Sequence, residues 1–249
     1  MKKCRICGTE VTPFFDFGKM PIGNAFVTEE EFFNEYFYHM QVAVCSSCFT
    51  MQVLDVPDPQ KMFHNNYAYF ASTSAYMSDH FRIMSESLIS KFLPENDPFV
   101  VEIGCNDGIT LQNFARAGIS HLGVEPSENV ADEARNKGIN VVSEFFNSQM
   151  AEDILKTYGP ADLFIATNTM HHIESINSVA EGVSNLLKPN GVMVQEDPYL
   201  GDMLESTAYD QLYAEHMYNW SITSLNNAFG PHGIEIFDIE RNQHHGGCI

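Results

Sequence analysis

Cations are scarce in this chain: 13 lysines and arginines stand against 33 aspartates and glutamates in 249 residues, a formal charge of −20. A field of that sign repels nucleic-acid phosphates and anionic membranes at long range, which argues against nucleic-acid and membrane partners. Long apolar runs are missing too. No stretch approaches the ~20 apolar residues of a membrane span. Behind the basic start Met1-Lys2-Lys3 come Cys4, Arg5, Cys7, Gly8 and Thr9, where a secretory leader would carry its apolar core. Cysteines number only six, and two of them, Cys105 and Cys248, are single and far apart in sequence. That usage suits a reducing compartment, so a cytoplasmic protein is expected. Low-complexity tracts and internal repeats are not evident. What is present, at 44% hydrophobic residues, is enough to build one large domain and a small one.

The other four cysteines form two hooks, Cys4-x2-Cys7 and Cys45-x2-Cys48, with 37 residues between them. Two such hooks can close a tetrahedral four-sulfur shell around one zinc ion, and a shell of four thiolates leaves no position open for water or substrate. The metal is therefore expected to be structural. Free thiols or two disulfides are the alternatives. A redox Cys-x2-Cys would sit between a strand and a helix, and no such unit precedes Cys4. A zinc finger for DNA is disfavoured by the absence of paired histidine ligands and of a basic recognition helix.

Residues 1–56 read as this zinc-binding module, with strand-like pieces at 11–17 and 40–44 and an acidic helical turn near 29–36. Asp55-Val56-Pro57-Asp58-Pro59 interrupts regular structure. Residues 57–98 read as a linker followed by a helix over 74–92, stopped at Pro94 and expected to contribute to the substrate site. From residue 99 to 249 strands and helices alternate: strands at 99–103, 121–124, 140–142, 162–167 and 191–196, helices at 110–116, 129–137, 149–158 and 176–187. Such alternation predicts a Rossmann-like α/β sheet with helices on both faces.

The first of these strands runs into Val101-Glu102-Ile103-Gly104-Cys105-Asn106-Asp107-Gly108, a turn that suits a nucleotide. Gly104 and Gly108 permit a tight backbone and close approach of a ligand. Asn106 stands where a dinucleotide fingerprint has its middle glycine, which weakens a pyrophosphate reading. Glu125, 17 residues past Gly108, is near the spacing at which an acid bonds ribose hydroxyls. Glu102 is placed to face a positive group. A cationic nucleoside fits these acids better than a dinucleotide, and S-adenosylmethionine is one.

The glycine turn, Glu125-Pro126-Ser127, Asp162-Leu163-Phe164-Ile165-Ala166-Thr167-Asn168 and Leu187-Lys188-Pro189-Asn190-Gly191-Val192 resemble class I S-adenosylmethionine-dependent methyltransferases. Together with the cysteine hooks and Tyr209-Asp210-Gln211-Leu212-Tyr213-Ala214-Glu215-His216, the whole chain resembles the sugar C-methyltransferases that carry a zinc-binding domain. Those enzymes methylate C3 of nucleotide-linked 4-keto-deoxysugars in deoxysugar and surface-glycan pathways. The resemblance implies zinc on Cys4, Cys7, Cys45 and Cys48. It implies cofactor contacts at Gly104, Asn106, Glu125 and Asn168, with Phe146 beside the adenine. It places catalytic roles on His172, Tyr213, Glu215 and His216, and a tyrosine of Tyr67-Ala68-Tyr69 near the sugar; by residue type alone, the hydroxyl of Tyr76 could line a sugar site as well. His216 is read as the base, Glu215 as fixing or sharing the proton, and His172 or Tyr213 as the enolate partner.

Members of that family continue for a further large domain after a His-Gly-Gly segment, whereas this sequence stops at His245-Gly246-Gly247-Cys248-Ile249. Three readings stay open: a truncated product, a short relative with another acceptor, or a pocket completed by a second subunit in a homo-oligomer. Lys61, Arg82 and Arg241 are the cations available for a nucleotide. Several residues also have plain structural readings. His171 and His172 point differently, so one of them could cap a loop while the other reaches a ligand. His244 and His245 read as a metal-binding tail or a frayed end, the aromatic residues from Phe63 to Phe81 as core. Two rivals to C-methylation are an O- or N-methyltransferase on another nucleotide-linked or phosphorylated glycan precursor, and a non-catalytic S-adenosylmethionine-binding remnant.

Overall fold

The two cysteine hooks fold into the same knuckle. In the first, Cys4 N–H donates to the Thr9 carbonyl (2.8 Å) and Gly8 N–H to that of Cys4 (2.9 Å); in the second, Cys45 N–H donates to the Thr50 carbonyl (3.0 Å) and Phe49 N–H to that of Cys45 (2.9 Å). Gly8 (φ 74°) and Phe49 (φ 61°) hold the equivalent left-handed position, easy for glycine and uncommon for any other residue. The pattern Cys-x2-Cys-x-Thr is thus a short repeat that sequence inspection passes over. The computed structural model describes residues 2–62 and 67–249. Met1 and Phe63, each the first residue of an expected segment, lie outside the described residues.

The pairing of β1 (Lys2–Lys3) with β2 (Glu10–Val11) encloses the first knuckle. Three longer strands follow: β3 (Phe15–Pro21), β4 (Phe37–Val44) and β5 (Met51–Val53), antiparallel to one another, with the second knuckle between β4 and β5. The acidic stretch between β3 and β4 forms a 3-10 turn, Glu29–Asn34, where Glu31 reaches back to the Thr28 N–H (2.8 Å). Pro59 opens the single turn α1 (Pro59–Met62).

Beyond this lies α2 (Ala75–Phe92), capped by Ser74, whose hydroxyl accepts the Met77 N–H (3.2 Å). Strand β6 (Phe99–Ile103) is buried at all five residues, as expected of a strand covered on both faces. It pairs in parallel with β7 (Ser120–Val124) and β9 (Ala161–Thr167), and β7 pairs in parallel with β8 (Val141–Val142). With β10 (Leu187–Glu196) the sheet order is β10-β9-β6-β7-β8. Helices α3 (Leu111–Arg116), α4 (Glu128–Asn136), α5 (Ser148–Tyr158) and α6 (Ile176–Leu186) alternate with the strands. Val100, Leu111, Phe114, Leu163 and Ile165 form part of one buried core. The sheet places the ends of β6, β7 and β9 side by side, which is where ligands bind in open α/β sheets.

After β10 come α7 (Leu200–Ser206), β11 (Tyr218–Asn219) and α8 (Ile222–Phe229). By compactness the chain divides into two units, each discontinuous in sequence. The first combines Met1–Met62 with Asn168–Ala180 and Glu196–Ile249; the second combines Phe63–Thr167 with Glu181–Gln195. The three consecutive segments expected at 1–56, 57–98 and 99–249 do not follow this division. The reason is a long-range ladder: β11 pairs antiparallel with β5, Tyr218 opposite Gln52 and Asn219 opposite Met51. Trp220, fully buried, stacks on Tyr218 behind it (ring centroids 4.8 Å apart).

The carboxy-terminal stretch, expected to be a metal-binding tail or frayed, is packed. Asp197 and Ile249 exchange two backbone bonds of 3.1 Å, Tyr199 N–H donates to the Gly247 carbonyl (3.0 Å), and Cys248 is fully buried. Gly247 has φ 122°, and a Cβ there would lie 2.5 Å from Asp202 Oδ2. Only glycine permits that approach. No helix among the described residues is long and apolar enough to cross a membrane.

Candidate active site

In the second unit the turn after β6 takes left-handed backbone at Gly104 (φ 61°), Asn106 (φ 50°) and Gly108 (φ 79°). A Cβ on Gly108 would fall 2.0 Å from Ile139 Cδ1, so that side chain would have to shift, and the left-handed backbone itself favours glycine. Glu102, at the end of β6, is 1% exposed. The Thr167 hydroxyl approaches its Oε1 at 3.4 Å, while its Oε2 has no partner among the described residues. Burial, aided by the charge of Glu125, pushes the Glu102 carboxyl up to about 8. Burial also raises Glu125, whose oxygens accept from the backbone of Asn106 (3.0 Å) and Ser127 (2.9 Å).

Two buried carboxyls at a strand-end turn, one of them with an orphan oxygen, fit a ligand that brings positive charge and hydroxyl donors. S-adenosylmethionine, the expected cofactor, has both. Without ligand Glu102 holds its proton at pH 7; a nearby cation favours the carboxylate and draws that proton off. Binding of S-adenosylmethionine at pH 7 is expected to release about one proton and to tighten as pH rises toward 8. Calorimetry in two buffers of different ionisation enthalpy checks this, and equal heats in both would refute it.

Asn106, expected to touch the cofactor, uses both ends of its side chain to hold backbone. Its Oδ1 accepts from Ala71 N–H (2.9 Å) and its Nδ2 donates to the Tyr69 carbonyl (3.0 Å). Asn129 clasps Tyr67 in the same way, at 3.2 and 2.9 Å. Buried Asp107 accepts from the Ser72 backbone (3.2 Å) and hydroxyl and faces Lys137 (3.2 Å). The stretch from Tyr67 to Ser72 is therefore strapped onto the turn. Tyr67 is partly buried, Tyr69 is half-exposed with its hydroxyl shifted up by burial, and Tyr76 is exposed on α2. Phe146 is buried against Phe164 (5.1 Å between centroids).

In the first unit three histidines cluster. His171 and His172 lie in the 3-10 turn Met170–His172, a short distance after β9, and His216 precedes β11. Ring centroids are 4.1 Å apart for His171–His172, 4.1 Å for His171–His216 and 4.9 Å for His172–His216. Each Nδ1 faces an oxygen acceptor: Asp197 Oδ1 for His171 (2.5 Å), the Glu215 carbonyl for His172 (2.9 Å) and the Gln211 carbonyl for His216 (3.0 Å). Nδ1 of His171 and of His216 therefore carries the proton, while His172 also bonds the Asn168 backbone. Burial pushes His171 down to about 3 and holds His172 and His216 well below the usual histidine range, so all three rings are neutral at pH 7. The lone pair of His216 sits on Nε2, which accepts from the Tyr213 hydroxyl at 2.8 Å. Glu215, 1% exposed, accepts from Asn24 Nδ2 at 2.6 Å. Asn168, directly after β9, has φ 51° and donates its N–H to the Glu196 carbonyl (2.6 Å).

The structure thus brings together His172, Tyr213, Glu215 and His216 in one unit, and Glu102, Gly104, Asn106, Gly108, Glu125 and Phe146 in the other. Asp197 and Asn24 were not anticipated. Asp197 carries a readable signal, since an acid just past a strand end of such a sheet is a site candidate; Asn24 carries none. Of the cations nominated for a nucleotide, Arg82 pairs with Asp79 (2.8 Å) and Glu86 (2.9 Å), Arg241 with Asp202 and Glu205 (3.3 Å), and Lys61 sits over the Tyr36 ring (4.0 Å).

The four knuckle cysteines converge as a zinc shell requires. Cys4 and Cys48 sulfurs are 3.5 Å apart, as are those of Cys7 and Cys45, and all four lie within 4.8 Å of one another. Zn–S bonds of about 2.3 Å arranged tetrahedrally put sulfurs about 3.8 Å apart, so the donor set fits the ion.

A family model described as a methyltransferase domain matches residues 76–238, and one described as a zinc binding domain matches residues 4–63. The C-methyltransferase NovU of Streptomyces niveus is 31% identical over 99% of this chain. The chain spans 59% of that relative's length. Among solved structures, a S-adenosylmethionine-dependent methyltransferase from Archaeoglobus fulgidus aligns with TM-score 0.51 at 19% identity, covering 63% of this chain and 68% of that one. A chain in the complex of the Haloferax volcanii Trm112 methyltransferase activator with its methyltransferase aligns with TM-score 0.52 at 16% identity, covering 68% and 74%. At that identity these two speak for the fold. Glycine turn, paired carboxyls, parallel sheet and family match agree, and the chain belongs to the S-adenosylmethionine-dependent methyltransferases, carrying a class I methyltransferase domain together with a zinc-binding module.

Proposed function

We propose that this protein methylates carbon, at C3 of a nucleotide-linked 4-keto-deoxysugar in deoxysugar or surface-glycan biosynthesis. The observation that carries this reading is the neutral, buried imidazole of His216 with its lone pair on Nε2 and the Tyr213 hydroxyl against it at 2.8 Å. A carbon acceptor, unlike a hydroxyl, needs both a base for its C–H and a proton donor for the enolate oxygen. The similarity to NovU, a C-methyltransferase, supports the same choice.

S-adenosylmethionine, when bound, would supply a methyl group on a sulfonium, with a neutral thioether as the leaving group. His216 Nε2 takes the C3 proton, and the electron pair of that C–H bond passes into the enolate. The Tyr213 hydroxyl, displaced from Nε2 by the acceptor, donates to the enolate oxygen. It suits this role better than His172, whose ring already bonds the backbone of Glu215 and Asn168. Glu215, anchored by Asn24, fixes the turn that presents both residues. Tyr67 and Tyr69, strapped to the cofactor turn, are assigned to the sugar, and Gly104, Gly108, Glu102, Glu125, Phe146 and Asn168 to the cofactor.

The test is transfer of a trideuterated methyl to a panel of nucleotide-linked 4-keto sugars, read by mass spectrometry of the products. A label placed on carbon, with solvent deuterium entering C3 when cofactor is omitted, is the expected result. A label on oxygen or nitrogen would replace the proposal with heteroatom methylation. No label, with S-adenosylmethionine shown to bind, would reject it for this chain.

A further inference from the structure

One buried Asp–His hydrogen bond has no part in the scheme above. Asp197 and His171 are 1% and 2% exposed, their Oδ1 and Nδ1 are 2.5 Å apart, and Asp197 also takes the Thr169 N–H (3.1 Å). A buried carboxylate is costly to keep and is retained where its charge or its geometry serves a purpose. Two links tie this pair to His216. The His171 ring meets the His216 ring edge to face at 4.1 Å, and the His171 carbonyl accepts the N–H of Met217, the next residue along, at 2.8 Å. Backbone bonds to Ile249 hold Asp197 from the other side.

We infer that Asp197 and His171 form a positioning pair for His216: the carboxylate fixes the His171 proton on Nδ1, holds that neutral ring against His216, and offsets the positive charge His216 acquires with the acceptor's proton. This rests on His216 being the base, as proposed above. The groups facing His216 are His171, His172, Tyr213, the Gln211 carbonyl and, by its field, His245. The neutral rings of His171 and His172 bring no negative charge to balance a protonated His216, and Glu215 is already engaged by Asn24. Asp197 reaches the cluster through His171. Its carboxylate takes no proton in the reaction; the proton rests on Nε2 of His216.

Asp197→Asn keeps an acceptor for His171 Nδ1 and removes the charge. Solvent deuterium exchange into a 4-keto sugar, without methyl transfer, reads the base alone. Loss of the carboxylate lowers the affinity of His216 for a proton, so the acid limb of the pH–rate profile is expected to move to lower pH by about one unit, with kcat at the plateau down about tenfold and KM within about twofold. His171→Gln is the second variant, and the double variant should cost no more than the worse single, as for residues acting as one unit. Bound zinc and unchanged S-adenosylmethionine affinity certify folding. Exchange by Asp197→Asn with an unmoved limb and unchanged kcat would overturn this inference alone. Absence of exchange by the unaltered protein on every sugar would overturn it together with the C-methylation reading.

Discussion

His216→Asn is expected to lower methyl transfer and deuterium exchange by about 10²–10⁴-fold, the usual worth of a positioned general base, while leaving S-adenosylmethionine affinity within about twofold. The substitution is chosen for its geometry. An asparagine Nδ2 can still donate to the Gln211 carbonyl that holds Nδ1 of His216 at 3.0 Å, so the turn from residue 211 to 216 keeps its bond. What vanishes is the Nε2 lone pair facing Tyr213. Exchange without cofactor and transfer with cofactor should fall together, because both begin with the same C–H cleavage. His216 contacts His171, His172, Tyr213 and the Gln211 carbonyl, and neither Glu102 nor Glu125 is among these, which is why affinity should persist. Calorimetric affinity beside steady-state rates decides the matter: unchanged rates would remove His216 from the chemistry, and lost affinity would show a structural role.

The largest effect on folding is expected from removing the metal. Intact protein should contain one zinc per chain, and Cys45→Ser or a strong chelator should unfold the knuckles and the β3-β4-β5 sheet. The strands around the first knuckle are two residues long each, and Phe14, Phe15, Phe26, Phe32 and Phe33 are more than half exposed, so the apolar burial of this region lies mainly in residues of β4 and β5 such as Met40, Val42, Ala43 and Val53. Structural zinc in comparable small folds contributes about 10–16 kcal/mol of apparent binding energy, as much as the whole stability of a typical domain. The parallel sheet has an independent core around Val100, Leu111, Phe114 and Leu163 and should survive. Hydrogen exchange resolves the two parts: protection lost across residues 15–53 and kept across 99–103 and 161–167 is the expected outcome. Protection kept in residues 15–53 without metal would show that the ion is dispensable.

Parts of this site are legible in sequence because they depend on neighbours along the chain. Cysteine spacing set the knuckles, buried apolar runs set β6 and β9, and glycines at fixed offsets marked the cofactor turn. Boundaries in the alternating part followed within a few residues, β10 starting at Leu187 rather than 191, but the strand expected at 11–17 is split between β2 and β3, and β5, α1, α7, β11 and α8 were not expected. Other parts are not legible. Asn106 looks like a ligand contact in a turn motif, yet its amide serves the backbone of Tyr69 and Ala71, some 35 residues earlier. The bond from Asn24 to Glu215 joins residues 191 apart. Nothing in local composition signals either.

The sequence by itself determined the chemistry available: four thiols at metal spacing, two acids at strand ends, and histidines and tyrosines in two short clusters. These rest on residue type and on periodicities of two and 3.6 that act over a few residues. Tertiary structure alone decided how those groups are used. It joined Asp197 to His171, fixed the protons of His171 and His216 on Nδ1, turned the His216 lone pair toward Tyr213, and left Glu102 with an oxygen unpaired. Protonation and hydrogen-bond direction depend on burial and on which acceptor lies within about 3 Å, and both are properties of segments brought together from distant parts of the chain.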